Sequence, residues 1–408
     1  MSSVAPMRPT GRRRAARPLE GFLADVKDDL RDELGRIRLP EFVLGFLLVG
    51  AGTATPLLPL SLPLASTVVL LLGGLALFRV PERSLGNLSS CALLLTGVLG
   101  YLVVVSVLSP VVSTDEWTRR IVRLTAVVAI VFFFVSRRLD LVSLLKGLAT
   151  GMVVNAGLFY AGVAPDRYVG YLTGYFGDKN QAGLHYAVVG ILLLALCRRR
   201  RTQFIVLVLS GMAVWLTGSR TSMAAYAFGV LWILVSPKLG NFFRILIAGA
   251  VVWILRFLEE NLAQVGVFAD REGSDQLRDR IQEATELKIA GTPFEGMGLG
   301  QAFVWLEDED WFFHDAYATL FVEGGYPYVA AIVGITVLLG FRPFRRGSPT
   351  RTSLVAEGAT LAVLICAWQL GEVFMTVPWA LVMAMALMSQ APQDTARSSA
   401  VPERKDAS

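Results

Sequence analysis

The sequence predicts an all-α integral membrane protein of about twelve transmembrane helices, with one large extracytoplasmic loop between the ninth and the tenth. Three observations lead there. Hydrophobic residues make up 54% of the 408 and charged ones only 17%, which places the chain outside the range of soluble domains. Apolar segments of near membrane length follow one another with short polar joints between them. Basic residues gather in alternate joints, the mark of membrane topology. The net charge of +5 therefore does not point to nucleic acid, because Lys and Arg form no single phosphate-binding face. Membrane lipids are the expected surroundings. Cys91, Cys197 and Cys366 lie far apart in or beside apolar segments, without metal-ligand spacing, and read as packing residues.

Residues 1–40 form a segment expected on the cytoplasmic side. Arg12, Arg13, Arg14 and Arg17 are not followed at once by an apolar run, so the build is not that of a cleaved signal peptide. Between Leu19 and Leu39, apolar residues recur at helical spacing opposite a charged face, which predicts an amphipathic helix at the membrane surface. The polytopic domain then occupies 41–390. A spanning helix needs about 20 apolar residues, and the segments that approach this are 41–59, 62–78, 88–110, 121–136, 141–163, 183–197, 203–218, 222–236, 242–258, 316–341, 352–371 and 373–390.

With the N-terminus inside, the inner joints carry Arg79 and Arg83, Arg137 and Arg138, Arg198 to Arg201, Lys238 and Arg244, and Arg342 to Arg351. Both termini are then expected on the cytoplasmic side of the membrane, with the loop 259–315 facing outward. That loop is rich in Asp and Glu. Within it Leu277, Ile281, Ala284 and Leu287 predict a short amphipathic helix with Ser274 as its N-cap. The acidic-aromatic run Leu306 to Phe313 reads as a solvated rim, and the tail 391–408 as disordered.

Three outward clusters could carry chemistry. In GYFGDKNQAG, Lys179 and Asn180 stand near a helix start, where backbone N–H groups and a cation can hold an anion; a plain turn with a snorkelling lysine is the competing reading. In LTGSRTS, Ser219 and Arg220 lie in a tight turn on the side where positive charge is disfavoured, and Arg220 could grip phosphate with two hydrogen bonds. The third cluster is the long loop itself. It holds Arg278 and Arg280, which point to different sides of a helix, the turn PFEGMGLGQ with Gly296, Gly298 and Gly300, and His314 followed by Asp315. His314 is one of two histidines, and an imidazole titrating near neutrality can move a proton.

These pieces, in this order, resemble the bacterial O-antigen ligase and O-antigen polymerase superfamily, polytopic enzymes that use polyprenyl-diphosphate-linked glycans. The resemblance runs from Gly174 to Tyr328 through GDKNQAG, LTGSRTS, an arginine before PFEGMGLG, and HDAYATLFVEGG. It implies that the family arginine falls on Arg278, with Arg280 the alternate, that the Ser-Arg turn falls on Ser219 and Arg220, and that the family histidine is His314. It also implies no cofactor and no metal. The chain departs from the family pattern at Asp315, Gln282 and Tyr328, where Asn, an aromatic and Gly are usual.

The implied activity is a metal-independent, inverting transfer of glycan from undecaprenyl diphosphate to a lipid or cell-surface acceptor such as lipopolysaccharide. A polysaccharide polymerase with the same chemistry is the alternative. A transporter or flippase of lipid-linked glycan is the competitor from another class; it calls for internal repeats and ionisable groups buried deep in the membrane. Cations are needed for the departing diphosphate, hence Arg220 and Arg278, and His314 serves the acceptor hydroxyl or the phosphate.

Overall fold

The computed structural model describes residues 37–53, 63–109, 114–262, 272–306, 308–344 and 348–390. The amphipathic helix expected before residue 37 and the tail from 391 lie outside them. The chain is mostly helical, as expected of an all-α membrane protein. Its helices are α1 (Leu39–Leu47), α2 (Leu64–Leu77), α3 (Ser89–Leu108), α4 (Thr114–Val135), α5 (Leu141–Tyr160), α6 (Lys179–Leu196), α7 (Arg200–Leu216), α8 (Arg220–Val235), α9 (Asn241–Leu262), α10 (Glu272–Ala290), α11 (Ala316–Phe341), α12 (Arg351–Cys366) and α13 (Val377–Met388). Three stretches, Gly86–Leu108, Leu141–Tyr160 and Ala316–Phe341, are long and apolar enough to cross a membrane.

Helix starts are written into the sequence. Asp140, Asp178, Ser219, Asp315 and Thr350 each accept a backbone N–H from the first turn of α5, α6, α8, α11 and α12. Pro40 and Pro378 open α1 and α13, where a missing N–H costs nothing. Glycine sets the closest helix contacts. A Cβ on Gly147 would collide with the Phe42 carbonyl across α1 and α5, and one on Gly229 would stand 2.7 Å from the Gly358 carbonyl across α8 and α12. Around these pairs α6, α12 and α13 are buried along most of their length and form the centre of the bundle.

Residues 272–341 differ from expectation in three ways. First, α10 begins at Glu272, so Ser274 lies inside it rather than capping it. Its buried stripe runs through Ile281 and Thr285, while Leu287, about 120° round the helix from Ile281, is exposed. Second, the run read as a solvated rim contributes to a hairpin. Strand β1 (Phe303–Leu306) pairs antiparallel with β2 (Glu309–Phe312), Phe303 opposite Phe312 and Leu306 opposite Glu309, a small exception to the all-α expectation. Alternation of Val304 and Leu306 with Phe303 and Trp305 gives β1 its half-buried strand period. Ile281, Ala302, Val304, Phe313, Ala318 and Val322 then close a second small core, separate from that of the bundle.

Third, α11 is not one unbroken rod. Gly324 and Gly325, with φ of −142° and +64°, break it ahead of Pro327. The groups freed by the break are taken up by the glycine turn: Met297 and Gly298 donate to the carbonyls of Val322 (2.7 Å) and Glu323 (3.1 Å), and Tyr326 donates to that of Phe294 (3.0 Å). Tyr101 on α3 ties both strands of this contact, donating to Glu295 and Gly324.

Candidate functional site

Three of the sequence clusters start helices at one end of the bundle. Asp178 caps α6 by accepting from Asn180 and Gln181, both at 2.9 Å, and its second oxygen accepts from the Tyr168 hydroxyl at 2.6 Å. The ammonium of Lys179 lies over the rings of Tyr168 and Tyr171, 5.6 and 5.4 Å from their centroids. Tyr171 in turn covers Gly218, which has φ of +66° and leaves no room for a Cβ beneath the ring. Leu172 donates to the Leu216 carbonyl at 2.9 Å, so the segment bearing the tyrosines lies along the turn before α8. This brings Lys179 to the neighbourhood of Arg220, the exposed first residue of α8.

Ser219, expected at the substrate, has a structural task at the start of α8. It is buried, its hydroxyl accepts from Ser222 N and meets the Ser222 hydroxyl at 2.9 Å, so it caps α8. Asp315 caps α11 in the same manner, accepting from Tyr317 and Ala318 at 2.7 and 3.2 Å. His314, just before it, is exposed. The segment after α12 joins this start to the others: Ala316 donates to the Ala367 carbonyl, Gly371 packs on the Phe313 carbonyl, and Gln181 of α6 donates to the Glu372 carbonyl at 3.3 Å.

The structure adds an ionic network that sequence reasoning missed. Arg120 of α4 pairs with both Glu323 and Glu372, and Arg123 reaches the same Glu372 oxygen at 2.8 Å. Glu323 is buried in the break of α11 and also accepts from Gly300 N at 3.0 Å. A cavity of about 20 Å³ lies beside the network, walled by Arg120, Glu323, Glu372, Thr319 and Phe312. A signal was available: Arg119, Arg120 and Arg123 sit at the start of an apolar segment on the same expected side as Arg220, where the same reasoning applies. Glu323 and Glu372 gave none, because one carboxylate within or between apolar segments has no partner readable from spacing.

The three glycines of the turn have φ of +90°, +102° and +86° at Gly296, Gly298 and Gly300. What they let approach is the broken helix. A Cβ on Gly296 would stand 2.6 Å from the backbone nitrogens of Gly324 and Gly325. Arg278 and Arg280 both lie in α10; Arg280 is exposed, and the side chain of Arg278 is outside what is described. Lys288, further along α10, donates to the Phe303 carbonyl at 2.7 Å, and burial lowers its pKa while Asp310 works the other way.

No family model matches the chain. No curated protein matches it either. The functional reading therefore rests on the residues and their arrangement.

Proposed function

We propose that the chain is a polytopic glycosyltransferase of the O-antigen ligase kind, taking glycan from undecaprenyl diphosphate at the outer face of a bacterial inner membrane. In this reading twelve helices span the membrane, both termini are cytoplasmic and the loop 259–315 faces outward. The observation that carries it is the convergence of Lys179, Arg220 and His314, far apart in sequence, at helix starts on one end of the bundle. The basic joints support the orientation: Arg79 with Arg138, and Arg244 beside Leu239, gather away from those starts.

The chemistry follows from the groups present. The bond between the anomeric carbon and the diphosphate oxygen breaks, and its electron pair leaves with the diphosphate. Arg220, Arg278 or Arg280, and Lys179 balance that charge, helped by the N-terminal dipoles of α6 and α8. The acceptor hydroxyl forms the new bond from the opposite face, inverting the centre, and His314 takes its proton. Asn180 and Asp315 stand beside these groups. Ser219 and the glycines contribute by holding the turns rather than by touching substrate. A lipid or cell-surface acceptor makes the protein a ligase; a second lipid-linked repeat makes it a polymerase with the same machinery.

One observation favours a transporter of the same lipid-linked glycan: Arg120 and Glu323 form an ionisable pair buried within the bundle. Reconstituted protein given polyprenyl-diphosphate oligosaccharide and acceptor in EDTA separates the two. Release of the lipid diphosphate in chelator, lost in His314→Ala and Arg220→Ala, is the expected result. Normal release in both variants overturns the site, and glycan crossing the bilayer with its carrier intact replaces the enzyme with a transporter.

A further inference from the structure

The hairpin shows two unlike faces. Its register places Phe303, Trp305, Asp310 and Phe312 on one side and Val304, Leu306, Trp311 and, at the tip, the exposed Glu309 on the other. The second side packs into the small core over α10 and α11. The first is open: Trp305 is 63% and Phe312 65% exposed, and Asp310 is exposed between them and the turn. Lys288 braces this side from below, its ammonium 4.5 Å from the Phe303 ring centroid. Large rings held outward on a braced support mark a binding surface.

Neighbouring charge decides the occupant. Asp308, Glu309 and Asp310 are all exposed at the tip. Anionic headgroups are repelled by these carboxylates, and carboxylates are disfavoured in the hydrocarbon of a bilayer. The same carboxylates are strong acceptors for hydroxyl donors. A pyranose offers both matching features, hydroxyls at its rim and a C–H face whose partial positive charge suits the negative face of an aromatic ring.

We propose that Phe303, Trp305, Asp310 and Phe312 form a saccharide-binding platform, with sugar rings stacked on Trp305 and Phe312 and hydroxyls donating to Asp310. Phe312 also walls the cavity beside Arg120, Glu323 and Glu372, and it precedes His314 by two positions. A bound glycan is thereby directed toward the proposed centre of transfer. That the glycan is the acceptor rests on the transferase reading; the binding does not.

The test uses the full-length protein in nanodiscs on an array of defined neutral and amino-sugar oligosaccharides. Wild type is expected to bind a subset at least tenfold more strongly than the Trp305→Ala/Phe312→Ala double variant, with Asp310→Asn in between and all melting temperatures alike. Failure of every oligosaccharide to distinguish wild type from the double variant overturns the platform. So does quenching by brominated lipid of the emission difference between wild type and Trp305→Phe, which would put the hairpin in the bilayer. Binding without glycan transfer sinks the transferase reading alone; transfer without this binding sinks the platform alone.

Discussion

The two ends of the bundle both bury arginine beside glutamate, and they do it differently. At the end away from the clustered helix starts, each carboxylate is fully used by fixed partners. Glu357 accepts from Arg244 at 3.0 Å, from the Ser236 hydroxyl at 3.0 Å and from the Trp232 indole at 3.3 Å, and Glu41 pairs with Arg79 while accepting from Asp140 N. At the other end Glu372 is shared by two arginines, remains 34% exposed and borders a cavity. A buried ion pair is therefore no sign of function by itself. What sets the second end apart is the carboxylate itself: Glu357 and Glu41 are fully enclosed, whereas Glu372 keeps an open edge beside the cavity.

The largest expected effects separate the ends. Arg220→Ala and His314→Ala should each cost about 10²- to 10⁴-fold in turnover with an unchanged melting temperature, since both side chains are exposed. Glu357→Ala should do the reverse. It strands the buried Arg244 and should cost about 3–5 kcal/mol, measured by thermal unfolding, with turnover per folded molecule intact. Loss of turnover at full stability in Glu357→Ala would erase the distinction. Glu323→Ala should fall between, at about 1–3 kcal/mol, because Arg120 keeps Glu372. Faster hydrogen exchange at the Gly300 amide, which loses its acceptor, is its signature.

The ion pairs that make this contrast were not legible in the sequence, and the reasons are physical. Asp178, Ser219 and Asp315 stand where helices begin because a short polar side chain there satisfies first-turn N–H groups, a local rule. Where the apolar segments lie within the described residues, helices occupy most of them, because an apolar stretch must satisfy its backbone groups internally. The meeting of Arg120 with Glu323 and Glu372 is a long-range fact, fixed by how α4 packs against α13 and reaches the break in α11 through Arg120, and no spacing encodes it. The hairpin was hidden by its acidic turn, and Phe303 to Leu306 is apolar at every position, so the alternate burial of β1 left no period in the sequence. Pro327 and the Gly324–Gly325 pair announced a weak point in α11, but only the turn at 293–300 explains why the break is tolerated: it supplies partners for the freed backbone groups.

That docking gives a smaller test. Gly325→Ala must force a side chain into a left-handed position against the Phe294 carbonyl, and should cost about 1–3 kcal/mol in thermal unfolding. Gly73→Ala, in α2 with open space around it, should instead gain about 0.5–1 kcal/mol. Equal effects at the two positions would mean that the turn does not hold the break.

The smallest effect sharpens the comparison most, because it sets two bridges of nearly equal length against each other. Arg38 meets Glu82 at 2.7 Å, with side chains 41% and 52% exposed, while Arg123 meets Glu372 at 2.8 Å. The first is an exposed surface pair, and a double-mutant cycle should give less than about 1 kcal/mol, falling further in 0.5 M salt as ions screen it. The second shares its carboxylate with the mostly buried Arg120, so its coupling should be larger and should persist in the same salt. Bridge length is the same in both, and only the surroundings differ. Equal couplings with equal salt dependence would show that the Arg120–Arg123–Glu372 cluster is an ordinary surface network rather than part of a built site.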